Sequence, residues 1–398
     1  MPEKILLARK VTPTTDRLYR MLREKGYFIL NASDLDETLH ALRERPDLLM
    51  FDTEIAEKPR PEQWPPMIRF FREHPLPCLL FSSNGRHPIP VKPLAPWTTD
   101  SLRHPVDIRE VEYKVASQLN LRRLTYERDL AQRLLLQKQK ELDENRRSAA
   151  QIQRALLPTG QPAKANLDCA WSFIPCEKIG GDLFNIIPLT DDFLLIYLLD
   201  VSGHGVSAAM VTVSVFQSLS PSSGRLFKNP DTAGRGRQCL SPSAILAQLE
   251  REYPFERFGK FFTISCLLLH TPSGRLRYSS AGHPPPVCIR RAGSLELLAS
   301  GGSIIGAGAR VPFEEGEIIL ERGDRVFLYS DGIIEHADAQ GDMFGPQRLY
   351  RKLQQQSKRR LAAACDQIIE TLRTFGQKTP FRDDVTLLGI EFGGTGKP

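Results

Sequence analysis

From Lys4 to Phe81 the chain alternates short apolar runs with amphipathic stretches. Lys4–Leu7, Tyr27–Leu30, Asp47–Phe51 and Cys78–Phe81 are apolar runs bounded by polar residues, the pattern of strands buried on both faces. Between them, Asp16–Lys25 sets Leu18, Met21 and Leu22 on one helical face, and Leu35–Arg43 forms a second helical stretch. Strands separated by helices in this order predict a parallel sheet covered by helices over residues 1–116.

Residues 117–157 have neither Gly nor Pro; Pro158 follows. A heptad repeat runs through Leu121, Leu124, Arg128, Ala131, Leu135, Lys138, Leu142, Asn145, Ala149, Ile152 and Leu156. Most of these positions are apolar, which predicts a coiled coil that pairs two copies of the chain. Arg128, Lys138 and Asn145 lower the stability of such a seam and fix its register. The alternative is one amphipathic helix packed on a neighbouring domain.

Residues 158–398 carry strand-like runs at Phe193–Leu199, Phe262–His270, Arg275–Ser279, Arg325–Tyr329 and Thr386–Phe392. Helical stretches fall at Ala208–Leu219, Ser243–Tyr253 and Arg348–Phe375. Without one-to-one alternation this predicts an α+β sandwich. Pro221–Pro242 is rich in Ser, Gly, Pro and Arg and reads as a mobile surface loop.

Composition narrows the class. Apolar residues are 41% and charged residues 25% of 398, the balance of a globular protein with a sizeable core. The seven cysteines are odd in number and no two form C-x-x-C, so they read as reduced core thiols of a cytoplasmic protein. No secretory pattern opens the chain, and no apolar stretch approaches the ~20 residues of a membrane span. A net charge of +6, spread among acids, gives no basic patch with interleaved aromatics for nucleic acid.

The candidate chemistry lies in aspartates beside glycines at strand ends. Gly180-Gly181-Asp182 precedes a strand, Asp200-Val201-Ser202-Gly203 follows one, Ser330-Asp331-Gly332 follows another, and Asp383-Asp384 precedes the last. Any one Asp-Gly can be a simple turn. Gathered at one edge, the four would form an all-oxygen site for hard divalent cations. Two cations sharing a carboxylate would acidify a water and aim it at phosphorus.

These motifs carry a resemblance. The run Gln151–Pro158, GGDLFNI at 180–186, DVSGHGVSAAM at 200–210, YSSAGHPPP at 278–286, LYSDGIIE at 328–335 and RDDVTLL at 382–388 resemble the stage II sporulation protein E / RsbU branch of the metal-dependent protein phosphatases. The resemblance implies a β-sandwich flanked by helices and Mn²⁺- or Mg²⁺-dependent hydrolysis of phosphoserine or phosphothreonine on a protein. It makes Asp182 a ligand of one metal and Asp200 the bridge between two, with the Val201 carbonyl beside it. Asp331 and Asp383 complete the second metal, and Asp384 is a neighbour. Asn185 stands where that family often has an acid. His204 and His283 are open to acid catalysis or to a turn-stabilising or packing role. The implied substrate is a phosphorylated anti-sigma-factor antagonist.

Residues 3–118 resemble a response-regulator receiver domain of flavodoxin-like fold. Asp52 stands at the phosphoacceptor position, Ser82 and Ser83 at the switch position, and His104-Pro105 where that family has Lys-Pro. The acidic pair that binds Mg²⁺ is replaced by Ala8-Arg9-Lys10. Asp52 is therefore expected to escape phosphorylation, as a strand-end cap or paired with Arg9 or Lys10. The whole chain thus reads as a phosphatase regulated through its front domain. A catalytically silent adaptor that binds a partner through the same fold is the alternative.

Overall fold

The structure is a computed structural model that describes residues 2–56, 61–84, 88, 90–102, 105, 107–160, 166–203, 205–221, 240–308, 311–377 and 379–394. The chain divides into two compact units, Met1–Lys140 and Glu141–Pro398.

The first unit is built on five parallel strands, β1 (Lys4–Ala8), β2 (Phe28–Ala32), β3 (Leu48–Asp52), β4 (Cys78–Phe81) and β5 (Thr98–Ser101). Their order is β2-β1-β3-β4-β5, a doubly wound topology in which sites form at the carboxyl ends of strands. Helices α1 (Pro13–Glu24), α2 (Leu35–Leu42) and α3 (Trp64–Glu73) intervene, and α4 (Ile108–Ala155) follows. Helix α1 starts cleanly because Thr12 and Thr15 form a reciprocal cap with Pro13 behind it.

Alternate strand residues face opposite layers. Leu6, Leu49, Phe51 and Leu80 pack against Leu35 and Leu42 of α2 and Met67 and Phe71 of α3. Ile5, Leu7, Met50 and Phe81 pack against Leu18 and Leu22 of α1 and against Val111, Val115 and Leu119. The last three belong to α4, so this helix opens as a core element of the first unit and starts before the residue-117 boundary read from the heptads. Farther along, Leu121, Leu124, Leu135, Leu142 and Ile152 are each more than half exposed.

The second unit is a four-layer sandwich. One sheet runs β13 (Gly301–Gly302), β10 (Arg275–Ala281), β9 (Phe262–His270), β8 (Phe193–Val201) and β7 (Leu183–Pro188), with β14 (Gly316–Ile319) also on β10. The other runs β12 (Leu295–Leu297), β11 (Val287–Ile289), β15 (Arg325–Tyr329), β16 (Val385–Phe392) and β6 (Leu167–Ile174). Phe184, Ile196, Leu198 and Leu267 of the first meet Val326, Leu328, Leu388 and Ile390 of the second. Helices α5 (Val206–Ser218) and α6 (Pro242–Glu252) cover the outer face of the first sheet. Helices α9 (Pro346–Gln355) and α10 (Leu361–Phe375) cover the second; α7 (Phe255–Phe258) and α8 (Asp331–Ile334) are single turns.

The helical stretch expected over Arg348–Phe375 is two helices. The buried Arg325 guanidinium donates to the carbonyls of Gln356 and Arg359 at 3.2 and 2.6 Å, which satisfies backbone acceptors freed by the break. Most of the Pro221–Pro242 loop lies outside the described residues, as does Cys239. The other six cysteines are free thiols, five of them buried. Among the described residues no helix is long and apolar enough to cross a membrane.

Candidate metal centre

Antiparallel pairing brings the candidate aspartates to one edge of the sandwich. Leu183 of β7 pairs with Leu199 of β8, so Asp182 and Asp200 share an end of that hairpin. Tyr329 of β15 pairs with Leu387 of β16, so Asp331 and Asp383 share an end of the other sheet. Strand parity then aims the side chains. Leu194, Ile196 and Leu198 face between the sheets, and Asp200 continues that series. Phe184 and Ile186 do the same for Asp182, and Leu388 and Ile390 for Thr386 and Asp384.

The outcome is a crowded acidic crevice. Thr386 Oγ1 donates to Asp182 Oδ2 at 2.5 Å, across the two sheets. Asp182 Oδ1 is buried and has no hydrogen-bond partner among the described residues. Burial, then Asp200 and Asp384, hold the Asp182 carboxyl well above the ordinary carboxylate range. Burial, then Asp331, Asp383 and Asp384, push Asp200 up to about 8. Burial, then Asp383 and Glu335, push Asp331 up to about 6. Buried like charges raise one another's pKa, and a cation between them reverses that cost. An orphaned carboxylate oxygen among hard oxygen donors fits a divalent cation. Among the described residues, the acids and thiols whose ligand atoms lie within 4.8 Å of one another are Cys176, Asp383 and Asp384; the ligand set expected from the sequence is Asp182, Asp200, Asp331, Asp383 and the Val201 carbonyl.

Asp384 has a different task. Its carboxylate accepts from the backbone N–H groups of Cys176 at 2.8 Å, Gly181 at 2.6 Å and Asp182 at 3.3 Å. It anchors the Gly180–Asp182 turn. Two glycines serve close approach. A Cβ at Gly180 would lie 2.2 Å from Asp384 Oδ2, and one at Gly332 would lie 2.1 Å from the Asp384 carbonyl oxygen. Asp383 is exposed beside a cavity of about 490 Å³ whose wall includes Glu335, His336, Met343 and Arg382.

The remaining sequence candidates separate. His283 is buried, its Nδ1 lies 2.7 Å from Thr263 Oγ1, and burial pulls its pKa down to about 3. It is a neutral packing residue. Asn185 shares the parity of Leu183 and Ile187, which face the helices, so it points away from the carboxylates. His204 lies outside the described residues. The sequence reading missed Thr386 and also Gln153, whose carboxamide meets the Gly180 backbone. The signal for Thr386 was available, since it sits two positions from Asp384 on the same strand face.

At the front, Asp52 is fully buried at the end of β3. Its carboxylate accepts from the backbone N–H groups of Lys10 at 3.1 Å, Glu54 at 3.1 Å and Ser83 at 3.2 Å. Arg9 turns to Asp16, 3.3 Å away, and Lys10 brings its backbone N–H to Asp52. The Ser82 hydroxyl lies within hydrogen-bond distance of Glu54 and Asn84. His104 lies outside the described residues.

A sandwich of one mixed and one antiparallel sheet between helices, with acids at one open edge, has the architecture of PP2C-type domains. The structure of the SiaA-PP2C domain of Pseudomonas aeruginosa superposes with a TM-score of 0.53 at 22% identity, covering 64% of this chain and 98% of that one. Residues 190–393 match the family described as stage II sporulation protein E (SpoIIE), and the chain belongs to that family. It is 28% identical over 164 residues to the phosphoserine phosphatase RsbP of Bacillus subtilis, covering 40% of this chain and 38% of that protein. It is 24% identical over 200 residues to the phosphoserine phosphatase RsbU of the same organism, covering 50% of this chain and 55% of that protein. The chain thus spans about a third to a half of the length of such relatives.

Proposed function

We propose that this chain is a metal-dependent protein serine/threonine phosphatase. The observation that carries the reading is the buried, unpartnered Asp182 Oδ1 in a crevice of mutually repelling aspartates. Asp182, Asp200 and the Val201 carbonyl would hold one divalent cation, and Asp200, Asp331 and Asp383 a second, with Mn²⁺ or Mg²⁺ suited to such oxygen donors. Such cations supply positive charge to a phosphate monoester and activate water at neutral pH. The protein's part is to keep Asp182 aimed through Thr386 and Asp384, and to offer the exposed side of Asp383 to a substrate. A complete set of carboxylates weighs against a silent adaptor, which has no use for their repulsion.

By analogy with RsbP and RsbU, the substrate is a phosphoserine or phosphothreonine on a cytoplasmic protein, with a phosphorylated anti-sigma-factor antagonist as the proposed partner. The front unit is a receiver-like domain that responds to a bound partner instead of to aspartyl phosphate. The exposed apolar positions Leu121, Leu124, Leu135, Leu142 and Ile152 favour a homodimer through the helix at 117–157. Sedimentation at micromolar concentration checks this, and a monomer would remove the dimer. For the activity itself, the test is hydrolysis of p-nitrophenyl phosphate by the full chain. It should need Mn²⁺ or Mg²⁺ and vanish in excess EDTA; undiminished turnover in EDTA would defeat the metal reading.

A further inference from the structure

We propose that Gln153, on the last turn of α4, is a positioning residue of the metal centre: its carboxamide grips the Gly180–Asp182 turn, so cation affinity depends on how this helix end is seated. The inference rests on the metal reading above and adds a residue to it.

Gln153 is 3% exposed, while Gln151, Ile152, Arg154 and Ala155 around it are exposed. A carboxamide offers two donor hydrogens and an acceptor oxygen, and it is costly to bury without partners. Gln153 finds all of its partners in one place. Its Nε2 donates to the Gly180 carbonyl at 2.8 Å and, at 3.4 Å, to the Asp182 carbonyl. Its Oε1 accepts from the Gly180 N–H at 3.1 Å.

The backbone of the turn can be followed group by group, as buried main chain requires. The N–H groups of Gly181 and Asp182 go to Asp384. The Gly181 carbonyl accepts from Thr212 Oγ1 at 2.8 Å and from the Val201 N–H at 3.4 Å. Everything that remains, the Gly180 N–H and the carbonyls of Gly180 and Asp182, goes to Gln153. The turn that aims Asp182 is therefore held by one residue of β16's leading edge, one of β8, one of α5 and one of α4.

Anchoring a helix end does not need an amide. Leu156 and Leu157, just beyond, pack against the apolar core of this unit and serve that purpose. An amide whose donors and acceptor all meet the turn before a candidate ligand adds direction. Outer partners of metal ligands typically set affinity by 10–100-fold. A small rotation of the helix end would strip three bonds from the turn at once.

The test uses the full-length protein, stripped of metal, titrated with Mn²⁺ by calorimetry, and then assayed on p-nitrophenyl phosphate across Mn²⁺ concentrations. Gln153→Met keeps the length and removes every hydrogen bond. It should weaken Mn²⁺ binding about tenfold, with kcat recovered at saturating Mn²⁺ and KM for the ester unchanged. Backbone amides of residues 180–182 should exchange faster in the metal-free variant. Arg154→Ala, one residue along and exposed, should match wild type throughout. Should Gln153→Met not fold, Gln153→Asn, too short to reach the turn, carries the same expectation. Wild-type Mn²⁺ affinity in a folded Gln153 variant overturns the proposal, as does a loss of activity that no Mn²⁺ concentration restores. Either result leaves the phosphatase reading standing if wild type binds Mn²⁺ and turns over. A wild-type protein that does neither overturns that reading, and Gln153's role with it.

Discussion

Two aspartates at strand ends, Asp52 in the first unit and Asp182 in the second, are both buried, yet their carboxylates live differently. Asp52 accepts three backbone N–H groups. Asp182 has one oxygen bonded to Thr386 and the other without a partner among the described residues. Hydrogen bonds to the charged form stabilise a carboxylate, whereas burial beside other acids disfavours it. The first arrangement is complete as it stands and needs no ion. The second is complete only with positive charge added. The degree of satisfaction, more than burial or position on the strand, separates a structural acid from a functional one.

The largest expected effect breaks the second arrangement at its centre. Asp200→Asn removes charge from the proposed bridging position, and hydrolysis should fall by at least about a thousandfold, roughly 4 kcal/mol of barrier. Circular dichroism should report an intact fold, and a variant retaining tenfold-reduced activity would contradict the bridging role.

A second experiment sharpens the contrast through pH. Asp200 is pushed up to about 8 and Asp331 to about 6, above the ordinary carboxylate value of about 4. A raised folded-state pKa means the folded, metal-free protein binds protons more tightly than the unfolded chain. That stabilisation is complete below about pH 4 and is lost as pH rises through about 6 and then about 8. Metal-free protein should therefore melt about 10 °C lower at pH 8.5 than at pH 5.5, from roughly 4 kcal/mol at about 2–4 °C each. Saturating Mn²⁺ should cancel the slope. Asp200→Asn should flatten it and raise the metal-free melting temperature. A melting temperature that rises with pH in the absence of metal would contradict the mutual repulsion.

The smallest effect belongs to the front. Asp52→Asn leaves one of the three N–H groups facing an amide, which should cost about 1–3 kcal/mol in the unfolding of the first unit. The Mn²⁺ dependence of hydrolysis should not change. Acetyl phosphate should leave the mass of the intact protein unaltered, and stoichiometric addition of phosphate at Asp52 would show that its three N–H partners yield to chemistry.

The four aspartates were legible because strand ends and adjacent glycines are local patterns. So were the doubly wound alternation of the first unit and most strands of the second. What escaped is explained by tertiary contacts. Strand β5, Thr98–Ser101, has no apolar residue to announce it, and α3 opens with Trp64-Pro65-Pro66, which reads as loop. The start of α4 was hidden because Val111, Val115 and Leu119 continue into the heptad stretch without a breaker. The split between α9 and α10 depends on Arg325, about thirty residues upstream. Gln153 and Thr386 reach partners 27 and 204 residues away, beyond any local period. Asp-Gly at 331–332 was readable as a turn, and its actual reason, the Asp384 carbonyl against Gly332, needed the fold.

That last contact fixes a dimension. With no Cβ at Gly332, the loop after β15 lies against the main chain that leads into β16, and any larger residue would have to displace a carbonyl 2.1 Å away. The spacing between Asp331 and Asp383 is thereby ruled by backbone against backbone, which does not have rotamers to relax into. Mutational drift at the aspartates can alter the charge of the crevice, but its width is inherited from the glycine. Substitution there should act as an on–off change, with few graded intermediates for selection to explore.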